Sequence, residues 1–503
     1  MESGKEYISE HIFVFPFSWK LTSHHRVGLA NPYHQLKEKC FMQLDNWKSH
    51  YSEIEDDQDY NEFVYFYKPI RAALYTFNEE TLIVKNYDFM RLDASAFFQL
   101  SVGAHKYTLD IHAIKLKLYK TGIGLLSFEL INKCYHGVEE IKAINSFSKC
   151  IYPPILPIEK AKDDLFPNCV LIRLNEETYF EELFALDYYK ETLCISPLIM
   201  GVLGEPFKVK VKNRSEESIL IEPILGNQMY CCCIYQNAAL VEEILGQEDM
   251  TKSLERLMIL GKRMNYHNEG MEGKKNAYYL KNEFNIYCVS RFMLLCITKT
   301  WAESKLYNQL ITLVLMQRAT LLNVSTEIAR ISTLPKYELS EAIEGIYEIY
   351  IQFINQLYFK EVTEEFEGAC IYEALSKVFK IEEELNQLNY EVDEVHEYAT
   401  LIEQAASNVK VQILTIIGAA LVLPNFVTGF FGMNLFKEEA LRWWENRQVI
   451  LWLNSYFFLP TLAVIALCTW TKRKSTKYRL MKLLIMSLML LSASFVIKYG
   501  CGL

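Results

Sequence analysis

The chain has 503 residues, of which 51% are hydrophobic and 23% are charged, and it contains only 20 glycines and 13 prolines. These values exclude an extended disordered chain, which needs low hydrophobicity, and a linker-rich or collagen-like chain, which needs far more glycine and proline. The formal net charge is −10. A protein that binds nucleic acid through a basic surface is therefore not expected, and no direct nucleic-acid partner is predicted.

The thirteen cysteines have no regular spacing, and Cys231, Cys232 and Cys233 are consecutive. No CxxC pair and no cysteine–histidine set with zinc spacing occurs. We therefore predict reduced, mostly buried thiols in a cytosolic compartment. The first twenty residues carry early acidic residues and no uninterrupted apolar core, so no signal peptide is predicted.

Residues 1–240 show short runs in which apolar and polar residues alternate, which is typical of β-strands. The clearest case is HAIKLKLYKTGIGLLSFEL, where Thr121-Gly122 predicts the turn of a hairpin. The runs FVYFYK, LIVKNY, FKVKVKN and MYCCCIY are interpreted as further strands. A helical piece is predicted at 178–190. We expect an α/β domain with a mixed sheet.

From residue 241 to 410 the strand-type alternation fades and a helical period takes over. A heptad of apolar residues predicts one long helix with a coiled-coil-like seam. The seam residues are Ile371, Ala374, Val378, Ile381, Leu385, Leu388, Val392, Val395, Ala399, Ile402 and Ala406. Without a proline before Pro424, the helix should continue into the next segment and reach roughly 60 Å below it. The acidic helical segment 337–367 can fold back beside it.

Residues 411–503 form a predicted membrane region. The runs 411–431 and 449–470 are uncharged and long enough to cross a bilayer. Six Lys/Arg follow the second run, whereas the loop between the runs has three basic and three acidic residues. The positive-inside rule then places the loop outside and residues 1–410 in the cytoplasm. The alternative is a pair of buried helices in a soluble core.

A third apolar segment, 480–497, follows the basic run. It is short for a span, but Lys482 and Lys498 near its ends can extend toward the two interfaces. Two interpretations stay open for it. It forms a third crossing, or it lies as a helix at the membrane interface.

The first apolar run carries small and polar residues on one helical face. They are Asn408, Thr415, Gly418, Val422, Asn425 and Gly429. An amide such as that of Asn425 is costly in mid-membrane unless it meets water or a partner, which predicts a pore wall. The alternative is a close helix–helix contact through small residues. The apolar seam lies on the opposite side of the helix, which predicts that it faces a neighbouring helix.

The run ends in Gly432-Met433-Asn434. A GMN tripeptide at the end of the first of two close C-terminal spans, after a long acidic helix, resembles the CorA family of divalent cation channels and transporters. LTIIGAALVLPNFVTGFFGMN is also similar to the family's pore helix in length and in its LTII, FxxG and GMN positions. The specific match covers about residues 405–475.

The resemblance implies a pentameric funnel in the inner membrane, with Gly432, Met433 and Asn434 as the ion-selective ring at the outer mouth. Neutral oxygen acceptors suit Mg²⁺, which keeps much of its hydration shell. On physical grounds too, two or three spans per chain cannot enclose a pore alone, so a homo-oligomer is expected. Weak candidates for regulatory metal ligands on the acidic helix are Glu383, Glu384, Asp393 and Glu394. The alternative for them is a solvated helix face.

Three features depart from the family pattern. The loop lacks net acidic character, Pro424 is displaced by one residue, and the cytoplasmic region is larger than in housekeeping members. The enlarged region resembles CorA-like proteins in CRISPR loci. The alternative function is therefore a membrane effector in antiviral defence gated by a nucleotide messenger, whose contacts cannot be assigned. A membrane-tethered enzyme is the third hypothesis. No GxxxxGK[ST], HExxH or GxSxG motif occurs, so no catalytic residue is predicted.

Overall fold

A computed structural model describes most of the first 432 residues and a few positions beyond them. The described residues are 7–21, 44–77, 83–90, 92–151, 167–175, 178–184, 195–209, 218–226, 228–247, 250–258, 277–300, 304–432, 451, 454, 462 and 487–494. The chain divides into two compact units, Met1–Glu397 and Tyr398–Leu503.

The first unit contains a large sheet followed by helices. The strands are β1 (Ser9–Leu21), β2 (Trp47–His50), β3 (Val84–Phe89), β4 (Phe97–Val102), β5 (His105–Tyr119), β6 (Ile123–Asn132), β7 (Cys169–Arg173), β8 (Tyr179–Leu183), β9 (Phe207–Lys208), β10 (Ile219–Pro223), β11 (Tyr230–Gln236), β12 (Ala277–Lys281), β13 (Asn285–Ser290) and β14 (Met293–Thr298). The helices are α1 (Asp57–Tyr65), α2 (Lys68–Leu74), α3 (Val138–Ser148), α4 (Pro197–Leu203), α5 (Ala238–Leu245), α6 (Thr251–Leu257), α7 (Ser304–Ile331), α8 (Lys336–Gln356), α9 (Phe366–Phe379) and α10 (Ile381–Gly432).

The strands form one sheet whose main path runs β12-β13-β14-β11-β1-β6-β5-β4-β7-β8. Two pairs, β11 with β14 and β9 with β10, are parallel, and the remaining pairs are antiparallel. The long strand β1 pairs β11 near its start and β10 near its end, and β5 is shared in the same way by β4 and β3. The predicted α/β region with a mixed sheet, followed by helices, is confirmed.

The predicted hairpin is present as β5 and β6, with Tyr119 opposite Ile123. Gly122 in the connecting turn has φ +78°, a conformation that a residue with a Cβ rarely adopts. The strand predictions for LIVKNY and MYCCCIY are also confirmed, by β3 and β11. Of FKVKVKN, only the first part is described as strand, and residues 210–213 lie outside the described residues.

The two faces of the central strands differ in character. One face supplies Phe13, Phe15, Phe17, Leu116 and Phe128 to the main hydrophobic core, each at most 1% exposed. The opposite face lies against α7 and is partly polar. There the Lys117 ammonium donates to Gln309 Oε1 (2.9 Å), and the hydroxyls of Thr121 and Thr320 are 3.2 Å apart. The sheet is therefore buried on both sides, which suits its nearly continuous apolar strands.

Two short predictions are wrong. FVYFYK is helical, divided between the end of α1 and the start of α2. Asp56 caps α1 by accepting from the amide of Asp59, and Pro69 begins α2, so local capping decides against a strand. The helix predicted at 178–190 begins instead as strand β8, which pairs β7. Residues 185–190 lie outside the described residues.

The change from sheet to helices also comes later than residue 241. Strands β12 to β14 occupy 277–298, and the helical region begins at Ser304. Because β13 and β14 are buried on both faces, their residues do not alternate between apolar and polar. Short apolar runs of this kind cannot be told from buried helix by periodicity. The domain boundaries at 240 and 410 stay predictions.

All nine cysteines in the described part of the chain are free thiols. Cys231, Cys232 and Cys233 lie in β11 in the sheet interior, each at most 1% exposed. Burial raises the pKa of Cys233 to about 12, so this thiol is protonated and unreactive at neutral pH. The cysteine run is part of the core.

Candidate functional site

The longest element of the chain is α10, a single helix of 52 residues from Ile381 to Gly432. Its predicted seam is buried near the base, where Ile381, Leu385, Leu388, Val392 and Ala399 are each at most 7% exposed. Its first turn carries three glutamates, which are favourable near the positive end of the helix dipole. It also continues through Pro424, as the prediction of an uninterrupted helix required.

The long helix begins later in the chain than the sequence predicted. The sequence predicted a helix that is continuous from Ile371, but α9 ends at Phe379 and Lys380 adopts the left-handed conformation (φ 56°, ψ 41°). The apolar seam is unbroken across this point because α9 buries Ile371, Ala374 and Val378 as well. Because the helix begins at Ile381, its part before residue 411 is about 45 Å long, whereas the sequence predicted roughly 60 Å.

Side chains of α7 and α8 hold the base of α10. Arg318 in α7 forms a salt bridge of 2.8 Å with Glu384, and Ser325 donates to Glu391 at 3.2 Å. In α8, the ring of Tyr347 stacks on His396 with 4.6 Å between ring centroids. The predicted helix within 337–367 is α8, and it lies beside α10. The lower part of α10 is thus fixed by charge, hydrogen bonds and ring stacking as well as by its seam.

Helix α9 connects α10 to the sheet. The hydroxyls of Tyr287 and Tyr307 both donate to Glu367 Oε1, at 2.6 and 2.8 Å. Burial raises the pKa of both tyrosines, so they stay protonated as donors. At the other end of α9, Arg291 Nε donates to the carbonyl of Val378 (3.2 Å). The start of α9 is therefore hydrogen-bonded to Tyr287 of β13 and to Tyr307 of α7. The end of α9 is hydrogen-bonded to Arg291, the residue that follows β13.

The predicted pore-lining residues all lie in α10, and none of them is buried in the single chain. They are Asn408, Thr415, Gly418, Val422, Asn425 and Gly429. Their spacings of seven, three, four, three and four residues place them within an arc of about 100°. A Cβ added at Gly418 or Gly429 would meet no atom within 4 Å. These residues therefore form one narrow stripe along the helix, and the stripe is not buried within the single chain.

The predicted ion-selective ring is only partly described. Gly432 is the last residue of α10. Met433 and Asn434 lie outside the described residues, as do most residues of the predicted run 449–470 and ten of the eighteen residues of 480–497. In the described part of the chain, no helix combines the length and the apolar composition that crossing a membrane requires.

Three of the four predicted metal ligands pair with other residues of the chain. Glu383 pairs with Lys380 (2.7 Å) and Glu384 with Arg318. Glu394 accepts from the hydroxyl of Tyr390. Burial and then the charge of Asp393 raise the pKa of Tyr350 in α8. Within the ranges that the structure describes, no three His, Cys, Asp or Glu side chains cluster closely enough to hold a metal ion.

Sequence reasoning missed the residues that anchor the helix. Tyr287 and Tyr307 are 80 and 60 residues from Glu367, and Arg318 is similarly far from Glu384, so no motif contains both members of a pair. Their one signal is polarity within otherwise apolar helices or strands, and that signal does not identify the partner. Only the fold brings them together.

The architecture is that of an α/β sheet region followed by helices, ending in a long helix that carries a stripe of small and polar residues. The model of the family described as CorA-like Mg²⁺ transporter protein matches residues 337–467, which is 131 of the 503 residues. The resemblance to the CorA family is therefore confirmed for this part of the chain, which includes α8, α9 and α10. No curated protein and no solved structure matches the chain.

Proposed function

We propose that this chain is one subunit of a homo-oligomeric, CorA-like channel for divalent cations such as Mg²⁺. The observation that carries the proposal is the continuity of α10. One helix runs from an anchored base at Ile381 to Gly432, and it lies within the region matched to the family. The transported ion is the substrate of the proposed channel.

In this proposal, residues 411–431 and 449–470 cross the cell inner membrane, with the loop between them outside and the N-terminal region in the cytoplasm. The charge difference between the loop and the basic run supports this orientation. Exposure along α10 supports the crossing as well. Leu414, Leu421 and Ile417, which share one side of the helix, are 68%, 52% and 51% exposed in the single chain. A continuous apolar surface of this kind needs lipid or neighbouring subunits to cover it.

The open face of α10 would line a central pore. Asn408 would form a ring of amides at the cytoplasmic entrance, and Asn425 would form a second ring within the membrane. Beyond Gly432, the Asn434 side chains and the Gly432 carbonyls would contact the hydration shell of the ion, with Met433 packed behind them. Neutral oxygen acceptors suit Mg²⁺, which dehydrates reluctantly. The opposite side of this part of α10 is apolar, with Ile413 and Ile417, which supports assigning the more polar stripe to the pore.

Gating by the cytoplasmic region would act through the base of α10. Since α9 is hydrogen-bonded to the sheet and α10 is paired with α7 and α8, a rearrangement of these helices would move the base of the pore helix. A ligand shifts such an equilibrium only by binding one arrangement more tightly than the other. Divalent ions at Glu383, Glu384, Asp393 and Glu394 remain a proposal, and at two of these positions an ion would compete with Lys380 and Arg318.

Mg²⁺ flux into proteoliposomes tests the function. The Asn434→Ala variant should lose most of the flux, because the change removes an amide from the proposed selective ring. The matched control is Asn446→Ala, which removes the same group elsewhere in the loop. Equal flux in the wild type and a well-assembled Asn434→Ala variant would contradict the assignment of the selective ring. Absence of Mg²⁺ flux in the assembled wild-type protein at every internal Mg²⁺ concentration would contradict Mg²⁺ as a substrate.

A second experiment tests the pore face. Gly418→Leu places a bulky side chain on the open side of α10, and Ala420→Leu places the same side chain toward the seam side. We expect Gly418→Leu to reduce the flux strongly and Ala420→Leu to retain most of it. Equal effects of the two changes would contradict a pore lined by this face.

A further inference from the structure

Two hydrogen bonds join the second and the third apolar segments within the C-terminal unit. The amide nitrogen of Asn454 donates to the backbone carbonyl of Ser492 at 3.0 Å. In return, the Ser492 hydroxyl donates to the Asn454 side-chain oxygen at 2.8 Å. The two residues are 38 positions apart and lie within the runs 449–470 and 480–497. A side-chain amide and a hydroxyl within apolar sequence thus satisfy each other.

The helix that carries Ser492 has two different sides. Residues 487–494 are helical, and Met489, Ser492 and Ala493 are half-buried at the helical spacing of three and four residues. Leu488, Leu490 and Leu491 are 43%, 68% and 67% exposed. The half-buried side that carries Ser492 therefore faces the contact, and the opposite side, which carries these leucines together with Ser487 and Ser494, is exposed.

The positions of the two residues along their segments decide between a crossing and an interfacial helix. Asn454 is five residues from the outer end of its proposed span at Val449, about 8 Å, and sixteen residues from the cytoplasmic end at Trp470, about 24 Å. Ser492 is twelve residues after Leu480 and four residues before Val496, about 6 Å from that end. A helix lying at the cytoplasmic surface could not bring Ser492 to the depth of Asn454. A helix crossing in the opposite direction would bring the two residues to nearly the same depth.

We propose that residues 480–496 cross the membrane as a third span, packed against the second span through the Asn454–Ser492 pair, and that residues 497–503 lie on the outer side. This inference rests on the two crossings of the proposed function. The pair supplies what an isolated amide in lipid lacks, a reciprocal partner that satisfies both its donor and its acceptor. The leucine side of the helix then faces the hydrocarbon.

Thiol labelling on whole cells tests the third crossing. In a background without other accessible thiols, an impermeant maleimide is applied to three proteins, with the single thiol at Cys501, at Ser475→Cys in the basic run, or at Glu438→Cys in the loop. We expect labelling of Cys501 and of the Glu438→Cys variant on intact cells. The Ser475→Cys variant should be labelled only after permeabilisation.

The two proposals fail in different ways in this experiment. If Cys501 and the Ser475→Cys thiol are accessible from the same side, the third crossing is wrong, whatever the Glu438→Cys result. If the Glu438→Cys thiol is labelled only after permeabilisation, the proposed orientation is wrong. The third crossing still holds in that case if positions 475 and 501 are accessible from opposite sides.

Oxidative cross-linking provides a second measurement in the full-length chain. The Asn454→Cys, Ser492→Cys double variant should form an intramolecular disulfide with an added oxidant, because the two side chains are in contact. The control pairs Asn454→Cys with Ser494→Cys, two residues further along the same helix. A cross-link at least several-fold more efficient for position 492 is expected. Equal efficiency at 492 and 494 would contradict the packing face.

Discussion

His11 lies in the interior of the sheet, and its side chain is fully buried. Its Nδ1 contacts Asn145 Oδ1 at 2.7 Å, and its Nε2 contacts the Ser9 hydroxyl at 2.8 Å. Because the Asn145 oxygen can only accept, Nδ1 carries the proton, and the Ser9 hydroxyl donates to Nε2. Burial lowers the pKa of His11 to about 4, so the imidazole is neutral at physiological pH.

The first prediction concerns acid stability. The unfolded chain protonates His11 near its ordinary pKa of 6.5, whereas the folded chain resists protonation until about pH 4. The unfolded state therefore binds more protons between these values, and stability falls as the pH falls from 6.5 to 4, by about 3 kcal/mol for this group. Replacing His11 by Gln should remove that part of the pH dependence, measured by thermal unfolding across this range.

The control for His11 is the exposed His105. The His105→Gln variant makes the same substitution at an exposed position and should not remove the part of the pH dependence assigned to His11. If His11→Gln unfolds with the same pH dependence as the wild type, the buried imidazole is not the group that titrates.

The second prediction concerns the ion pair at the base of α10. The Arg318 side chain is only 13% exposed, so removing the charge of Glu384 would leave a largely buried guanidinium without its counter-ion. Glu384→Gln should lower the free energy of unfolding by about 1–2 kcal/mol. Thermal unfolding of the detergent-solubilised protein measures this. Glu382→Gln is the matched control, because Glu382 is an exposed glutamate in the same turn. Similar destabilisation by both changes would contradict an anchoring role.

At the scale of single elements, the break at Lys380 separates α9 from α10. A left-handed conformation costs an L-residue about 1–2 kcal/mol, and glycine adopts it without that cost. Lys380 also pairs with Glu383, but this pair is largely exposed and contributes little. The break stays in place because the residues on both sides of it are buried.

The third prediction follows from this backbone conformation. Lys380→Gly should raise the free energy of unfolding by about 0.5–1 kcal/mol, since the relief of strain exceeds the added flexibility of the unfolded chain. Lys380→Val should lower it by more than 1 kcal/mol, because a β-branched residue is least compatible with positive φ. Chemical denaturation compares the variants, with Lys380→Ala reporting the loss of the ion pair alone. A stabilised Val variant would mean that α9 and α10 form one continuous helix.

The heptad shows how far periodicity predicts an element. It identified the buried residues of α9 and the base of α10 correctly, because both helices contribute one side to the same interior. It could not identify the break, since Lys380 lies between seam positions and a single left-handed residue leaves the apolar spacing intact. The strands β13 and β14 were missed for a related reason. Burial on both faces removes the alternation that distinguishes a strand.

At the scale of the whole molecule, the fourth prediction is the oligomeric state. In the proposed channel, two or three spans per chain could not enclose a conduit alone, and the stripe from Asn408 to Gly429 is not buried in the single chain. We expect a pentamer in native mass spectrometry of the protein in mild detergent. The Asn434→Ala variant serves as the control, because a change at the proposed selective ring should alter flux without altering the number of subunits. A stable monomer would contradict the channel altogether.

The sequence by itself determined the α/β region with its mixed sheet, the central hairpin, the apolar seam and the resemblance of about residues 405–475 to the CorA family, which the family model extends to residues 337–467. These follow from local periodicity, turn residues and a short motif, each of which is written in neighbouring residues. The tertiary structure decided the break at Lys380, the anchors at Arg318 and Glu367, and the contact of Asn454 with Ser492. Their partners are distant along the chain, and a polar residue gives no local sign of which distant group will satisfy it in the folded interior.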